Sequence, residues 1–135
     1  MKKVGYVLLG ALLIATVYSC EPDDFNVNDP RLNYIGTWDV TEKTGDFAPQ
    51  SYTVSIDLGE LASNLTIRGL YAQGPTFITT AIANGRNLEI PVQTRTGLTI
   101  SGSGTANADY TMINLQFSVN DGSSIDNVTA ELKKR

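Results

Sequence analysis

The side chains of this sequence that can do chemistry are few and of restricted kinds. Among 135 residues there is no histidine and one cysteine, Cys20. That excludes His/Cys zinc sites, Ser-His-Asp triads, Cys-His dyads, histidine-ligated haem and cysteine-held iron–sulfur clusters, and it leaves no intramolecular disulfide. Catalysis would fall to carboxylates, tyrosines or a Ser-Lys pair. A Ser-Lys pair needs a partly buried lysine of lowered pKa, whereas Lys43, Lys133 and Lys134 fall at a strand end and at the C-terminus. A glycosidase-type pair needs two carboxyl groups in one cleft, about 5–10 Å apart. Asp39, Asp57 and Glu89 instead take the outward phase of different strand segments. Ser101-Gly102-Ser103-Gly104-Thr105 has the composition of a phosphate-cradling loop but lacks its lysine and following helix. Asp121-Gly122-Ser123-Ser124-Ile125-Asp126 offers oxygens to a calcium ion without the spacing of an EF-hand loop, and Asp-Gly is ordinary hairpin chemistry. The expectation is a chain that is not an enzyme, with no catalytic residues, no metal and no cofactor. A net charge of −4 and a pI near 4.6 also lack the basic face of a nucleic-acid binder.

The cysteine has a context that gives it a different task. Residues 1–20 read MKKVGYVLLGALLIATVYSC: two lysines, then an uncharged apolar stretch from Val4 to Tyr18. Fifteen residues are too few to span a bilayer, which takes about 20, but they suit the apolar region of a secretory signal. Val17-Tyr18-Ser19-Cys20 resembles the bacterial lipobox. The resemblance implies cleavage before Cys20, a diacylglycerol thioether on its sulfur and acylation (palmitate or a similar chain) of the new amine. One acyl chain binds membranes marginally, whereas two or three anchor stably. The chain thus divides into a lipoprotein signal peptide (1–19), an acylated Cys20 with a flexible acidic tether (20–33) and a folded domain (34–135). Removing residues 1–19 takes away two lysines and no acids, so 8 basic residues remain against 14 acidic ones, a charge of −6. The acids that follow Cys20 resemble the surface-export signal of Bacteroidetes lipoproteins, or equally a plain polar spacer.

Strands must position whatever the domain presents. Val, Ile, Thr, Tyr and Phe are frequent, and no window carries a sustained helical stripe. Apolar and polar residues alternate through Tyr52–Leu58, Leu88–Val92 and Ile113–Val119, as in antiparallel strands with one dry face. Weaker segments complete eight strands, near 36–43, 51–58, 64–71, 77–83, 86–92, 98–104, 109–119 and 126–133. Turn signals separate them at Thr44-Gly45-Asp46, Asn84-Gly85, Thr96-Gly97 and Asn120-Asp121-Gly122. Short consecutive strands with tight turns predict an all-β fold, an eight-stranded antiparallel up-and-down β-barrel; a β-sandwich of the same strands is the alternative. The inward set is Trp38, Val40, Tyr52, Val54, Ile56, Leu58, Leu65, Ile67, Phe77, Leu88, Ile90, Val92, Leu98, Ile100, Ile113, Leu115, Phe117, Val119, Val128, Ala130 and Leu132. These side chains are large enough to fill such a barrel, with a small open mouth at one end.

Asn33-Tyr34-Ile35-Gly36-Thr37-Trp38 opens the first strand, and its Gly-x-Trp resembles the signature of lipocalins and the wider calycin group. With the lipobox, the tether and the strand count, the chain is similar to small lipocalin-like lipoproteins of Bacteroidetes. The resemblance implies that Trp38 plugs the closed end, with Lys133, Lys134 or Arg135 packed over it. The domain is shorter than a classical lipocalin and lacks its T-D-Y motif and C-terminal helix, which places the deep ligand-binding cup in doubt. The functional expectation is a lipid-anchored cell-envelope protein of the outer membrane, on its periplasmic or cell-surface face, whose barrel is a binding module for a protein, glycan or small apolar ligand. The alternative is a carrier of a small hydrophobic ligand, held by Trp38, Tyr52, Tyr71, Phe77 and Phe117.

Overall fold

Alternation of dry and wet side chains closes into a cylinder. The computed structural model describes residues 29–135; the signal segment and Cys20 lie outside the described residues. Eight strands follow in order: β1 (Gly36–Thr44), β2 (Gln50–Leu58), β3 (Asn64–Arg68), β4 (Ile78–Asn84), β5 (Asn87–Arg95), β6 (Leu98–Ala106), β7 (Met112–Asn120) and β8 (Ile125–Lys134). Each pairs antiparallel with the next. β1 also pairs with β8, from Trp38↔Lys134 to Thr44↔Thr129, so the barrel is closed and the sandwich alternative is excluded.

The interior is filled. Trp38, Ile56, Leu65, Ile67, Ile90, Ile100, Ile113, Leu115 and Leu132 are almost wholly buried, within one continuous apolar cluster. That agrees with a circumference of eight strands, whose lumen side chains can fill. Gly102 and Gly104 mark a close approach of β6 to β7 rather than free space. A Cβ at Gly102 would press on the Gln116 carbonyl oxygen and lie 2.6 Å from the Phe117 Cβ. The Gly-rich stretch 101–105 is therefore the middle of a strand.

One end is sealed where the chain joins the barrel. Asp29 caps a 3-10 turn (Pro30–Tyr34): its carboxylate accepts from the Arg31 backbone N–H at 3.0 Å and pairs with the Arg31 guanidinium at 2.6 Å. Arg31 also donates to the Leu61 and Asn64 carbonyls at 2.9 and 3.1 Å, fixing the turn to the β2–β3 loop. Residues 29–33, assigned to the tether from their polarity and Pro30, are thus part of the folded unit. The turn buries Tyr34, whose hydroxyl donates to the Gly85 carbonyl at 2.8 Å. Its own carbonyl accepts from the Trp38 indole N–H at 2.9 Å. Lys134 is the basic residue that covers Trp38, with Nζ 5.5 Å from the ring centroid and 2.8 Å from the Asn33 carbonyl oxygen. Lys133 turns outward toward Glu131, and Arg135 toward Asp39.

Several sequence expectations need correction. β3 stops at Arg68 rather than 71, because Gly69 (φ 97) and Tyr71 (φ 60) turn the chain. β7 starts at Met112 rather than 109, since the Asn107 carboxamide oxygen accepts from the Thr111 and Met112 N–H groups and closes a loop. In the β4–β5 hairpin, Asn84 pairs with Asn87 and the turn residues are Gly85 and Arg86. Leu58 is exposed because β1 ends opposite Ile56, leaving Leu58 beyond the rim. Val92 is 75% exposed. A bulge shifts the β5–β6 register between Ile90↔Gly102 and Gln93↔Ile100, which inverts the alternation after Pro91. Where the β4–β5 ladder stops, the Gln93 carboxamide takes its place, accepting from the Thr80 N–H at 2.9 Å and donating to the Thr80 carbonyl at 2.8 Å.

Candidate functional site at the barrel mouth

The end opposite the sealed one gathers the β1–β2, β3–β4, β5–β6 and β7–β8 connections. Between them lies a cup of about 320 Å³, walled by Phe47, Tyr71, Leu98 and Val119 and edged by Asp46, Asp121 and Asp126. Its volume falls at the small end of ligand sites. A broader trough of about 600 Å³ crosses the outer wall over β5–β8, among polar side chains such as Asn114, Gln116 and Glu131. It is an open surface of the sheet, without convergent groups.

Tyr71 is the centre of the mouth. It adopts φ 60 and ψ 28, a conformation that costs a side-chain-bearing residue of order 1–3 kcal/mol unless its surroundings hold it. Here they do. The Tyr71 backbone N–H donates to the Tyr52 hydroxyl at 3.0 Å, and the Tyr71 hydroxyl donates to Asp126 Oδ2 at 2.7 Å. Phe47 meets its ring edge-on at 5.6 Å, and Phe117 does so at 6.2 Å from within the barrel. Gly45 lets the β1–β2 loop lie against β8: a Cβ there would be 3.0 Å from Val128 and 3.1 Å from Asp126 Oδ1. The same Asp126 oxygen accepts from the Asp46 N–H at 2.9 Å.

A second buried carboxylate extends the network. Glu42 shares the inward phase of Trp38 and Val40 and is fully buried. Its oxygens accept from the Tyr52 hydroxyl at 2.6 Å and from Gln50 Nε2 at 2.8 Å. A continuous path therefore runs from Gln50 through Glu42, Tyr52, Tyr71 and Asp126 to the Asp46 backbone. Burial, then the hydrogen bond to its carboxylate partner, pushes both the Tyr52 and the Tyr71 phenols well above the ordinary tyrosine range. At the rim, the Ser124 and Ser123 N–H groups donate to Asp121 and lower its pKa. The Asp121–Asp126 stretch is thereby a hairpin turn closed on itself, with Asp126 turned into the barrel. Among the described residues, no group of three or more His, Cys, Asp or Glu side chains is placed to hold a metal ion.

Of the residues expected to bind a ligand, Tyr71 lines the cup, whereas Tyr52 and Phe117 touch Tyr71 from outside that lining. Phe77 is buried in the core just before β4, outside the cup lining. Trp38 belongs to the sealed end and takes no part in the mouth. Asp39 and Asp57 pair with Arg135 and Arg68 on the outside, and Glu89 is exposed. Phe47 and Glu42 were not singled out from sequence, Asp46 entered only as a turn residue, and Asp126 only as an oxygen donor for calcium. For the two buried acids a signal existed: Glu42 continues the Trp38–Val40 phase, and Asp126 the Val128–Ala130–Leu132 phase, so each is an acid in an inward position.

No protein-family model matches the chain, and no curated protein does. A solved structure of a redesigned beta barrel is similar in fold, with a TM-score of 0.54 at 15% identity, covering 82% of this chain and 99% of that one. The likeness extends to the barrel alone.

Proposed function

We propose that this chain is a lipid-anchored protein of the bacterial outer membrane, similar to the small lipoproteins of Bacteroidetes, and that its barrel is a non-catalytic binding module. The reading of Cys20 rests on the charged, apolar and lipobox segments of residues 1–20. The binding reading is carried by one observation: the mouth presents aromatic and carboxylate side chains on a braced loop, around a cup of about 320 Å³. Phe47 is 59% exposed there, an apolar ring left available for contact. The buried acids have their oxygens engaged by tyrosines, a glutamine and a backbone amide. Partner contact falls to Phe47, the β7–β8 turn and the Tyr71 loop, and the partner is a protein, a glycan or a small molecule seated in the cup.

The test captures partners with the full chain extracted from its membrane in mild detergent, beside Phe47→Ala and a Thr111→Ala control at the other end. A partner or ligand bound by the parent and the control but lost from Phe47→Ala supports the mouth. Equal retention by all three removes it. Solvent extraction of the purified protein tests the carrier alternative, which requires an apolar compound at near-equal amount. Cys20→Ser is expected to leave the membrane fraction, and its persistence there would overturn the anchor.

A further inference from the structure

We infer that the sealed end of the barrel rests on the lipid bilayer surface, so that the mouth points away from the membrane; this rests on the lipid-anchor reading of Cys20. Three exposed leucines collect at that end. Leu58 ends β2 and Leu61 lies in the β2–β3 connection, while Leu32 lies on the 3-10 turn that Arg31 ties to that connection through the Leu61 carbonyl and to the start of β3 through the Asn64 carbonyl. They are 46%, 67% and 45% exposed, in a barrel whose other leucines are largely buried. The charges at this end are mixed, Arg86, Lys133, Lys134 and Arg135 standing among Asp39, Glu60, Glu89 and Asp109, whereas the cup at the mouth is edged by the acids Asp46, Asp121 and Asp126. Exposed leucines on a braced turn and loop suit the boundary of a bilayer.

Chain length selects the bilayer as the occupant. Eight residues, and so nine Cα-to-Cα steps, separate Cys20 from Asp29, where the folded unit begins. Fully extended they reach about 30 Å, and as a flexible coil their mean span is about 17 Å. A nine-residue strand is about 30 Å long, which at a tilt near 40° gives a barrel about 23 Å tall. An anchor held at Cys20 therefore keeps the leucines within easy reach of the lipid. Turning the mouth onto the membrane would stretch the same tether nearly to its limit along the barrel wall.

The experiment uses the full chain, purified from its membrane and reconstituted into vesicles of phosphatidylethanolamine and phosphatidylglycerol. An environment-sensitive fluorophore is placed at Leu61→Cys or, separately, at Ser123→Cys in the mouth, and nitroxide lipids quench it from the headgroup level. The expected result is a blue shift and strong quenching at position 61 and neither at 123. Adding Leu32→Ser and Leu58→Ser, both exposed and outside the core, should reduce the quenching at 61. Equal quenching at the two positions, or more at 123, overturns the orientation. So does an unquenched probe at 61 in a chain that runs as a dimer, which would mean that a second copy covers the leucines. The mass of the N-terminal peptide is read in parallel. An unmodified Cys20 defeats the anchor reading and this inference with it, whereas an acylated Cys20 with the wrong quenching pattern defeats the orientation alone.

Discussion

Removing a single oxygen, by Tyr52→Phe, should cost this domain about 3 kcal/mol. The Tyr52 hydroxyl makes two bonds that no neighbour can replace. It donates to Glu42 at 2.6 Å and accepts from the Tyr71 N–H at 3.0 Å. Glu42 is fully buried and would keep only Gln50, and a hydrogen bond to a carboxylate is worth about 1.5–3 kcal/mol. The Tyr71 N–H would lose its acceptor in a backbone conformation already unfavourable for tyrosine, and an unsatisfied buried donor costs about 1–3 kcal/mol. The two losses total about 2.5–6 kcal/mol; a figure near the lower end, about 3 kcal/mol, applies because Tyr52 itself is partly exposed and water can reach the site. With a domain of this size losing about 4 °C per kcal/mol, the midpoint should fall by about 12 °C.

The assay is urea unfolding followed by circular dichroism, with thermal melts alongside. An unchanged slope with a lowered midpoint would place the loss in stability. Tyr110→Phe, at the sealed end and outside the network, should cost under about 0.5 kcal/mol. Tyr52→Phe with Glu42→Gln should recover about 1–2 kcal/mol, because the buried acid that lost its donor is replaced by an amide. A loss below about 1 kcal/mol for Tyr52→Phe, or strict additivity with Glu42→Gln, would refute the reasoning that the phenol holds the mouth together.

Alkaline pH should unfold the barrel through its tyrosines. Burial pushes Tyr34 to about 12, and Tyr52 and Tyr71 are raised as well. The unfolded chain ionises near 10, so the stabilisation is complete below pH 10 and is lost as pH rises through the folded values. Phenolate absorbance from these residues should appear together with loss of the strand signal; ionisation near pH 10 in a still-folded protein would contradict the burial. Gln93→Leu leaves the Thr80 N–H and carbonyl without their partner, a loss of about 1–3 kcal/mol with faster amide exchange at Thr80. Gly102→Ala forces a Cβ against β7 and should cost about 1–3 kcal/mol, whereas stability within about 0.5 kcal/mol of the parent would show that β6 and β7 part easily.

Period-two alternation made the eight strands and their closure readable, since each strand faces a dry lumen on one side only. What alternation could not carry was lost for identifiable reasons. Gly69 turns the chain with φ 97, but the apolar Leu70 and Tyr71 (φ 60) that follow continue the pattern of a strand, so β3 looks longer in sequence than it is. Pro91 sits within a regular pattern, and only the register shows that the chain bulges there and sends Val92 outward. Asp29–Asn33 looks like linker because its order comes from an ion pair and from contacts with residues thirty positions away. The mouth was partly visible through Tyr71, which Tyr52 and Phe117 support from outside the cup lining. Its acids were misplaced because composition counts Glu42 with the solvated charges and Asp126 reads as part of the β7–β8 loop, although the strand phase of both points inward.

The architecture of the mouth also limits what can bind there. Phe117 and Val119 occupy the lumen beneath Tyr71, and Tyr71 is fixed by its hydroxyl, by its N–H and by two rings. A ligand entering the barrel would have to displace Phe117, breaking core packing worth about 3–5 kcal/mol if the ring were lost altogether. It would also have to separate the Tyr71–Asp126 bond. Few small ligands recover so much from a cup of about 320 Å³. Contact outside the rim requires neither change, because Phe47 and the β7–β8 turn are exposed already. The same interactions that stabilise the strained Tyr71 loop therefore favour recognition by the surface of the mouth over storage in the lumen.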